Sequence, residues 1–244
     1  MTYNNDEHTF QPKLVCNKGD MLLNEIRYPL TNNKAYNLQF ELNNLNTNKV
    51  NIELLLTTQI YDLLEKVNVD LIERIYILNT LNAQETDICI LVKQIAKEVG
   101  IKQKYILFRC TKYLNKLNNS ITYYNKDLIY EHKDLIDNYL NSINLDTDNY
   151  EPLIFNFGKT SISLSNEIIQ SRAIENDIAI DDSSNDDSSN DVIAITEKFI
   201  NIKFSIDFQI TITDDLPLYM NNLVGLMFKK MFYNVKLYIN NLNS

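Results

Sequence analysis

Tryptophan is absent from these 244 residues, glycine occurs four times, cysteine three times and histidine twice. Each scarcity excludes a class of function. Cys16, Cys89 and Cys110 are far apart and odd in number, so neither a disulfide framework nor a paired-cysteine zinc site is expected. That usage points to a reducing, intracellular compartment, cytoplasm or nucleus. His8 and His132 stand alone, without HxxxH spacing or a cysteine partner, which argues against a metal centre or a histidine-activated nucleophile. Gly158-Lys159-Thr160 ends like a phosphate-binding P-loop, but Leu153 stands where the upstream glycine is required. Asp134 and Asp137, three apart on an expected helix, read as a solvated face. No run approaches the roughly 18 to 20 apolar residues of a membrane span, and polar Met1 to Asp6 shows no signal peptide. The expectation is a non-enzyme with no cofactor, no metal and no membrane partner.

The remaining composition, 45% hydrophobic and 23% charged, is that of a soluble globular chain with one large or two small domains. Heavy use of Asn and Ile points to AT-rich coding. Charge is unevenly spread. Glu175 to Asp191 holds seven acidic residues and no Lys or Arg, so its removal takes the net charge from −9 to −2. Its centre, DDSSNDDSSN from Asp181 to Asn190, repeats a five-residue unit without an apolar residue and reads as a flexible spacer. The functional alternative is a phosphorylatable or partner-mimicking acidic arm.

Apolar spacing divides the chain into three zones. Residues 1–50 form a strand-rich segment, with Tyr36, Leu38, Phe40 and Leu42 alternating. Over 51–145 the spacing of Ile52, Leu55, Leu56, Ile60, Leu63 and Leu64 predicts helices. Residues 146–244 form a β-rich region holding the acidic loop 175–191. There Leu153, Phe155 and Phe157 before Gly158-Lys159, then Ile162 and Leu164, predict a hairpin turning at the glycine. Ile200, Ile202, Phe204, Ile206, Phe208, Ile210 and Ile212 alternate with polar residues, which places them on one face of a strand. A helix over about Leu216 to Phe232 and a final strand through Val235, Leu237 and Ile239 complete the expectation.

Val92 to Leu117, VKQIAKEVGIKQKYILFRCTKYLNKL, fits a helix-turn-helix. Ala96 sits where two helices would cross, Gly100 in the turn, and Val99, Ile101 and Ile106 on the inner faces. A second helix over Lys102 to Asn118 would turn Ile106, Cys110, Tyr113 and Leu117 inward. Tyr105, Arg109, Lys112 and Lys116 would face outward, with Lys102 and Lys104 at its entrance. Seven basic residues and one acid between Lys93 and Asn118 give a local charge of +6, a pattern suited to phosphate neutralisation. The run Tyr105-Ile106-Leu107-Phe108 also has strand character, and as a strand it would break the motif. Ile121 to Tyr124 and Leu128 to Tyr130 could form the hairpin of a winged helix; the competing reading is helix from Lys126 to Leu145.

Two resemblances follow. Lys93 to Leu117 is similar to the closing helices of a cyclin-type repeat in transcription factor IIB, through Lys93 to Ile95, Ile101, Lys104, Ile106 and Leu114. Leu45 to Lys66 resembles an earlier helix of that repeat, so the likeness covers about 70 residues. Leu153 to Lys159 with Ser171-Arg172, and Leu38 to Leu56, resemble strand and helix pairs of the TATA-box-binding protein. Departures are the missing zinc ribbon and the strand alternation of Ile200 to Ile212. Together these imply an α+β fold with a central, possibly winged, helix-turn-helix between antiparallel β segments; the alternative is all-α tandem cyclin-like repeats. The expected function is transcription initiation on double-stranded DNA alongside other transcription proteins, with Lys102, Lys104, Tyr105, Arg109, Lys112 and Lys116 as the nucleic-acid contacts. The alternative is a non-catalytic scaffold subunit whose helical middle docks on another chain.

Overall fold

A computed structural model describes residues 12–27, 34–94, 102–131, 133–174, 193–211 and 222–244. The acidic run 175–191, together with Ala96, Gly100 and Ile212, lies outside them. In chain order the elements are β1 (Lys13–Asn17), β2 (Met21–Arg27), β3 (Lys34–Asn46), α1 (Glu53–Leu56), α2 (Gln59–Val67), β4 (Ile72–Thr80), β5 (Glu85–Val92) and β6 (Gln103–Asn115). They continue with β7 (Ser120–Asp127), α3 (Lys133–Ser142), β8 (Tyr150–Pro152), β9 (Ile154–Leu164), β10 (Ile168–Ile174), β11 (Ile193–Thr211) and α4 (Leu223–Asn243).

The strands join in one sheet, ordered β1-β2-β3-β11-β9-β7-β6-β5-β4, with β10 beside β11 and β8 beside β6. Only the short β6–β8 pairing is parallel among the described strands. The pairing of β3 with β11 brings residue 46 against residue 199, so the early and late parts of the chain meet at the centre of the sheet.

Alternation decides which side of the sheet is apolar. Ile200, Ile202, Phe204, Ile206, Phe208 and Ile210 of β11 are all buried, as are Tyr36, Leu38, Phe40 and Leu42 of β3. Phe40 stacks on Phe204, ring centroids 4.6 Å apart, and Tyr36 on Phe208 at 5.3 Å. Against this inner face lies α4. Its buried positions Gly225, Met231, Phe232, Val235 and Ile239 recur at helical spacing and make one stripe. Helix α2 covers the neighbouring part of the sheet with Tyr61, Leu63 and Leu64. On the opposite face a smaller core of Cys89, Leu91, Tyr105, Leu107, Leu128 and Leu140 sits beneath α3.

Several expectations are corrected here. The second helix of the expected helix-turn-helix is strand β6, so neither that motif nor an all-α pair of cyclin-like repeats exists in this chain. Strands β5 and β6 are covered on both faces, which makes Tyr105 to Phe108 uniformly buried instead of alternating. A run without alternation does not distinguish a covered strand from a helix. The expected wing is a single strand, β7, followed by a turn and α3. The expected hairpin at Gly158 is the continuous strand β9. A Cβ at Gly158 would stand 2.3 Å from Phe155 Cε1, so this glycine makes room for a ring and does not make a turn. The separate helix and strand expected at the C-terminus are one 21-residue helix. Among the described residues no helix is long and apolar enough to cross a membrane.

Candidate functional site

The inner face, α2 and α4 do not close completely on one another. Between them lies a cavity of about 70 Å³ lined by Tyr61 and Leu64 of α2, Phe108 of β6, Tyr123 of β7, Phe155 of β9 and Phe228 of α4. The sequence places a bulky apolar or aromatic residue at each of these positions because each faces inward from its element. Phe228 forms the roof: its ring stacks on Phe208 at 4.5 Å and on Phe155 at 6.0 Å. Tyr61 and Phe155 each hold a tilted contact with Phe108, at 6.1 and 6.0 Å.

The lining also includes Asn125, Lys159, Thr160 and Asp207, and beside it the Tyr123 and Lys112 side chains are tied to backbone. The Tyr123 hydroxyl donates to Leu56 O at 2.5 Å, and Lys112 Nζ donates to the same carbonyl at 2.9 Å. This carbonyl lies at the C-terminal end of α1, where the helix leaves its acceptors unpaired, so a hydroxyl and an ammonium are apt partners. Burial pushes the Tyr61 hydroxyl far above its usual range, and its hydrogen bond with Cys110 acts in the same direction. Burial likewise raises the Tyr123 hydroxyl, and pushes the Cys110 thiol up to about 11. All three therefore stay protonated at neutral pH, and the cavity carries no charge from them.

Asn125 is the exception. It pairs with Gly158 across β7 and β9 and lines the cavity, and its Oδ1 is buried without a hydrogen-bond partner among the described residues. An unpaired buried acceptor costs about 1 to 3 kcal/mol, which a donor brought by a ligand would recover. The combination is an apolar chamber with one vacant acceptor, suited to an apolar molecule carrying a hydroxyl or similar donor.

The residues expected to bind DNA do not share a surface. Lys102 is exposed ahead of β6, and Lys116 is exposed in the turn after it. Lys104 pairs with Glu151. Tyr105 is buried beneath α3, its hydroxyl raised to about 12 by burial. Arg109 Nε and Nη2 donate to Asp87 Oδ1 and Oδ2 at 2.7 and 2.9 Å on the α3 side. Lys112 points to the opposite, inner side and reaches Leu56 O. A helix would have put Tyr105, Arg109, Lys112 and Lys116 together; a strand's two-residue period sends 109 and 112 to opposite faces. Sequence reasoning missed Tyr61, Phe108, Tyr123, Asn125, Phe155 and Phe228. The inward spacing Phe228, Phe232, Val235, Ile239 was the available signal, cut by assigning the last two to a strand.

No protein-family model matches the sequence, and no curated protein does. Solved structures do share the architecture. The human StarD13 (DLC2) lipid transfer and protein localization domain is 8% identical, with 96% of this chain and 90% of that one covered and a TM-score of 0.57. Human StAR-related lipid transfer protein 5 is 7% identical over 99% of this chain and 89% of that one, TM-score 0.52. Human STARD10 is 8% identical over 93% and 73%, TM-score 0.52. At such identities the likeness establishes the fold: a large antiparallel sheet gripping a C-terminal helix. It overturns the resemblance to transcription factor IIB and the TATA-box-binding protein, and with it the transcription-initiation function and the double-stranded DNA and transcription-protein partners. The scaffold alternative loses its basis too, since the helical middle meant to dock on another chain is mostly sheet.

Proposed function

We propose that this protein binds an apolar ligand bearing a hydrogen-bond donor in the chamber between α4 and the inner face of the sheet. The observation that carries the reading is the apolar cavity with the unpaired Asn125 Oδ1 in its lining. Support comes from the shared fold, since two of the three solved structures are named for lipid transfer. The role is binding without catalysis: Tyr61, Tyr123 and Cys110 hold their protons. The free cysteines Cys16, Cys89 and Cys110 support an intracellular site of action.

Size sets the mechanism of entry. About 70 Å³ is well below the roughly 300 to 1,000 Å³ of common ligand pockets. A lipid-sized guest therefore enters only if α4 shifts outward and Phe228 leaves its stack on Phe208 and Phe155. The ligand then replaces those ring contacts with its own apolar surface, and its donor meets Asn125.

The test is thermal stability of the full chain against a series of straight-chain primary alcohols and their methyl ethers. A ligand that binds only the folded state stabilises it by RT ln(1 + [L]/Kd), so at equal concentration the tighter binder raises the melting temperature more. Alcohols are expected to stabilise more than the matched ethers, and Asn125→Leu is expected to abolish that difference while leaving chain-length dependence. No stabilisation by any member, in wild type and in the enlarged cavity of Phe228→Ala, would sink the reading.

A further inference from the structure

The hairpin of β1 and β2 is clasped to α4 by three side chains spaced four and three residues apart on one helix face. Lys236 Nζ donates to Asp20 O at 3.4 Å, with the Asp20 carboxylate 3.9 Å away. The Tyr233 ring lies against the turn, so close that a Cβ on Gly19 would come within 2.6 Å of Tyr233 Cε2. The third contact is chemically unusual. Lys229 is 7% exposed, and its Nζ donates to Cys16 Sγ at 3.1 Å, its one partner among the described residues. A buried ammonium is ordinarily met by a carboxylate or by several oxygen acceptors. Here it meets a single sulfur.

We propose that Cys16 and Lys229 form an oxidant-sensitive pair at which a peroxide cross-links β1 to α4. The hydrogen bond places one proton between nitrogen and sulfur. The thiolate attacks a peroxide oxygen: an S–O bond forms, the O–O bond breaks, and the departing hydroxide takes a proton from the Lys229 ammonium and leaves as water, so that the nitrogen is left neutral. The sulfur is oxidised by two electrons and the peroxide reduced by two. The product sulfenic acid then has a nitrogen nucleophile in contact. The neutral Lys229 amine attacks Sγ, an S–N bond forms, the S–O bond breaks, and a second water leaves with one amine proton. The net change joins the two side chains as a sulfenamide and removes two hydrogens from the protein.

Position favours this outcome over a disulfide. Cys16 is half-buried, whereas Cys89 and Cys110 are buried on β5 and β6, which lie towards the opposite end of the strand order from β1. A sulfenic acid condenses with a thiol or a nitrogen, whichever is at hand, and here the nitrogen is. Because α4 carries Phe228 next to Lys229, the cross-link pins the helix that roofs the cavity, though the chemistry itself needs no ligand.

The experiment treats the full folded chain with hydrogen peroxide and maps its proteolytic peptides by mass spectrometry, with and without dithiothreitol. The expected result is a linked pair of peptides containing Cys16 and Lys229, lighter than their sum by two hydrogens and separated by the reductant. Lys229→Arg keeps the hydrogen-bond donor and is expected to give no link, leaving a sulfenic acid that a cyclic diketone traps. Equal trapping in wild type and Lys229→Arg would overturn the proposal. So would an unreacted Cys16 in folded protein, or oxidation of Cys89 or Cys110 ahead of it. The wild-type readout stands even if the variant does not fold.

Discussion

At the scale of single residues, Arg109 shows how one side chain changes role with its element. On a helix it would have been part of a basic surface; on β6 it is the counter-charge of Asp87, whose side chain is fully buried. The Tyr139 hydroxyl of α3 donates to the same carboxylate at 2.6 Å, so Asp87 ties α3 to the sheet. Removing Arg109 strands a buried carboxylate. Arg109→Ala is expected to destabilise the protein by about 3 to 5 kcal/mol in urea denaturation, and Asp87→Leu combined with Arg109→Met to recover most of it. A loss below 1 kcal/mol for Arg109→Ala would show that the pair is solvated. The buried thiols make a second prediction. Burial raises Cys89 from the usual 9.0 to about 12 and Cys110 to about 11. The unfolded chain releases these protons near pH 9, while the folded chain keeps them to higher pH. The stability they contribute is therefore complete below about pH 9 and lost as pH rises towards 12. Urea midpoints at about pH 8 and 10 should fall between the two conditions, and fall less in Cys89→Ala. An equal fall in the variant would assign the effect elsewhere.

At the scale of elements, α4 is the most informative. Its stripe lay in the sequence as Phe228, Phe232, Val235 and Ile239. Local reading failed because Val235, Leu237 and Ile239 also alternate, and β-branched residues favour strands. The structure separates the two patterns: Val235 and Ile239 are buried, whereas Leu237 is 43% exposed. Contact with the sheet, not local preference, selected the helical set. Gly225 is a consequence of that contact. A Cβ there would stand 2.7 Å from Tyr36 Cε1, so the helix approaches β3 only because the side chain is missing. Gly225→Ala should lower stability by about 1 to 3 kcal/mol even though alanine favours helices, and a raised melting temperature would show that the helix is free to move away. Phe228→Ala should cost about 3 to 5 kcal/mol by removing the roof of the cavity. Small aromatic molecules added to that variant should restore part of the loss; the absence of rescue would mean that the space collapses.

At the scale of the whole molecule, stability depends on distant pairings. Strands β4 to β7 pair with one another within 51–145, but the outer edge of β7 is held by β9, and β3 is held by β11, so the rest of the sheet comes from outside this stretch. Helix α2 packs against α4, and the inner side chains of β5 to β7 belong to the same core as α4, near the other end of the chain. A fragment of residues 51–145 is therefore expected to lack a cooperative unfolding transition in circular dichroism, while the full chain unfolds in one step. A cooperative fragment would show that this stretch has a sufficient core of its own. The strands outside this stretch were legible where only one face is covered. In β11 and β3 the buried and exposed residues alternate, and the period of two is visible without neighbours. In β5 and β6 it is hidden, because α3 covers the second face and every central position becomes apolar. The cavity was not legible at all, since its lining is gathered from α2, β6, β7, β9 and α4, which no local spacing connects.

What the sequence determined by itself is the set of faces that must be buried: the inner edges of β3 and β11, the stripe of α2, and the scarcity of cysteine, histidine and glycine that excludes a disulfide scaffold or phosphate loop. These follow from side-chain period and chemistry, which neighbouring residues carry. The tertiary structure decided that Gln103 to Asn115 extends as a strand, that the last 21 residues of regular structure form one helix, and that Lys112 and Arg109 face opposite ways. It also decided where Asn125 and the Cys16–Lys229 pair came to lie. The physical reason is that these outcomes depend on which surface covers an apolar face, and that surface is supplied by residues from 22 to 213 positions away along the chain.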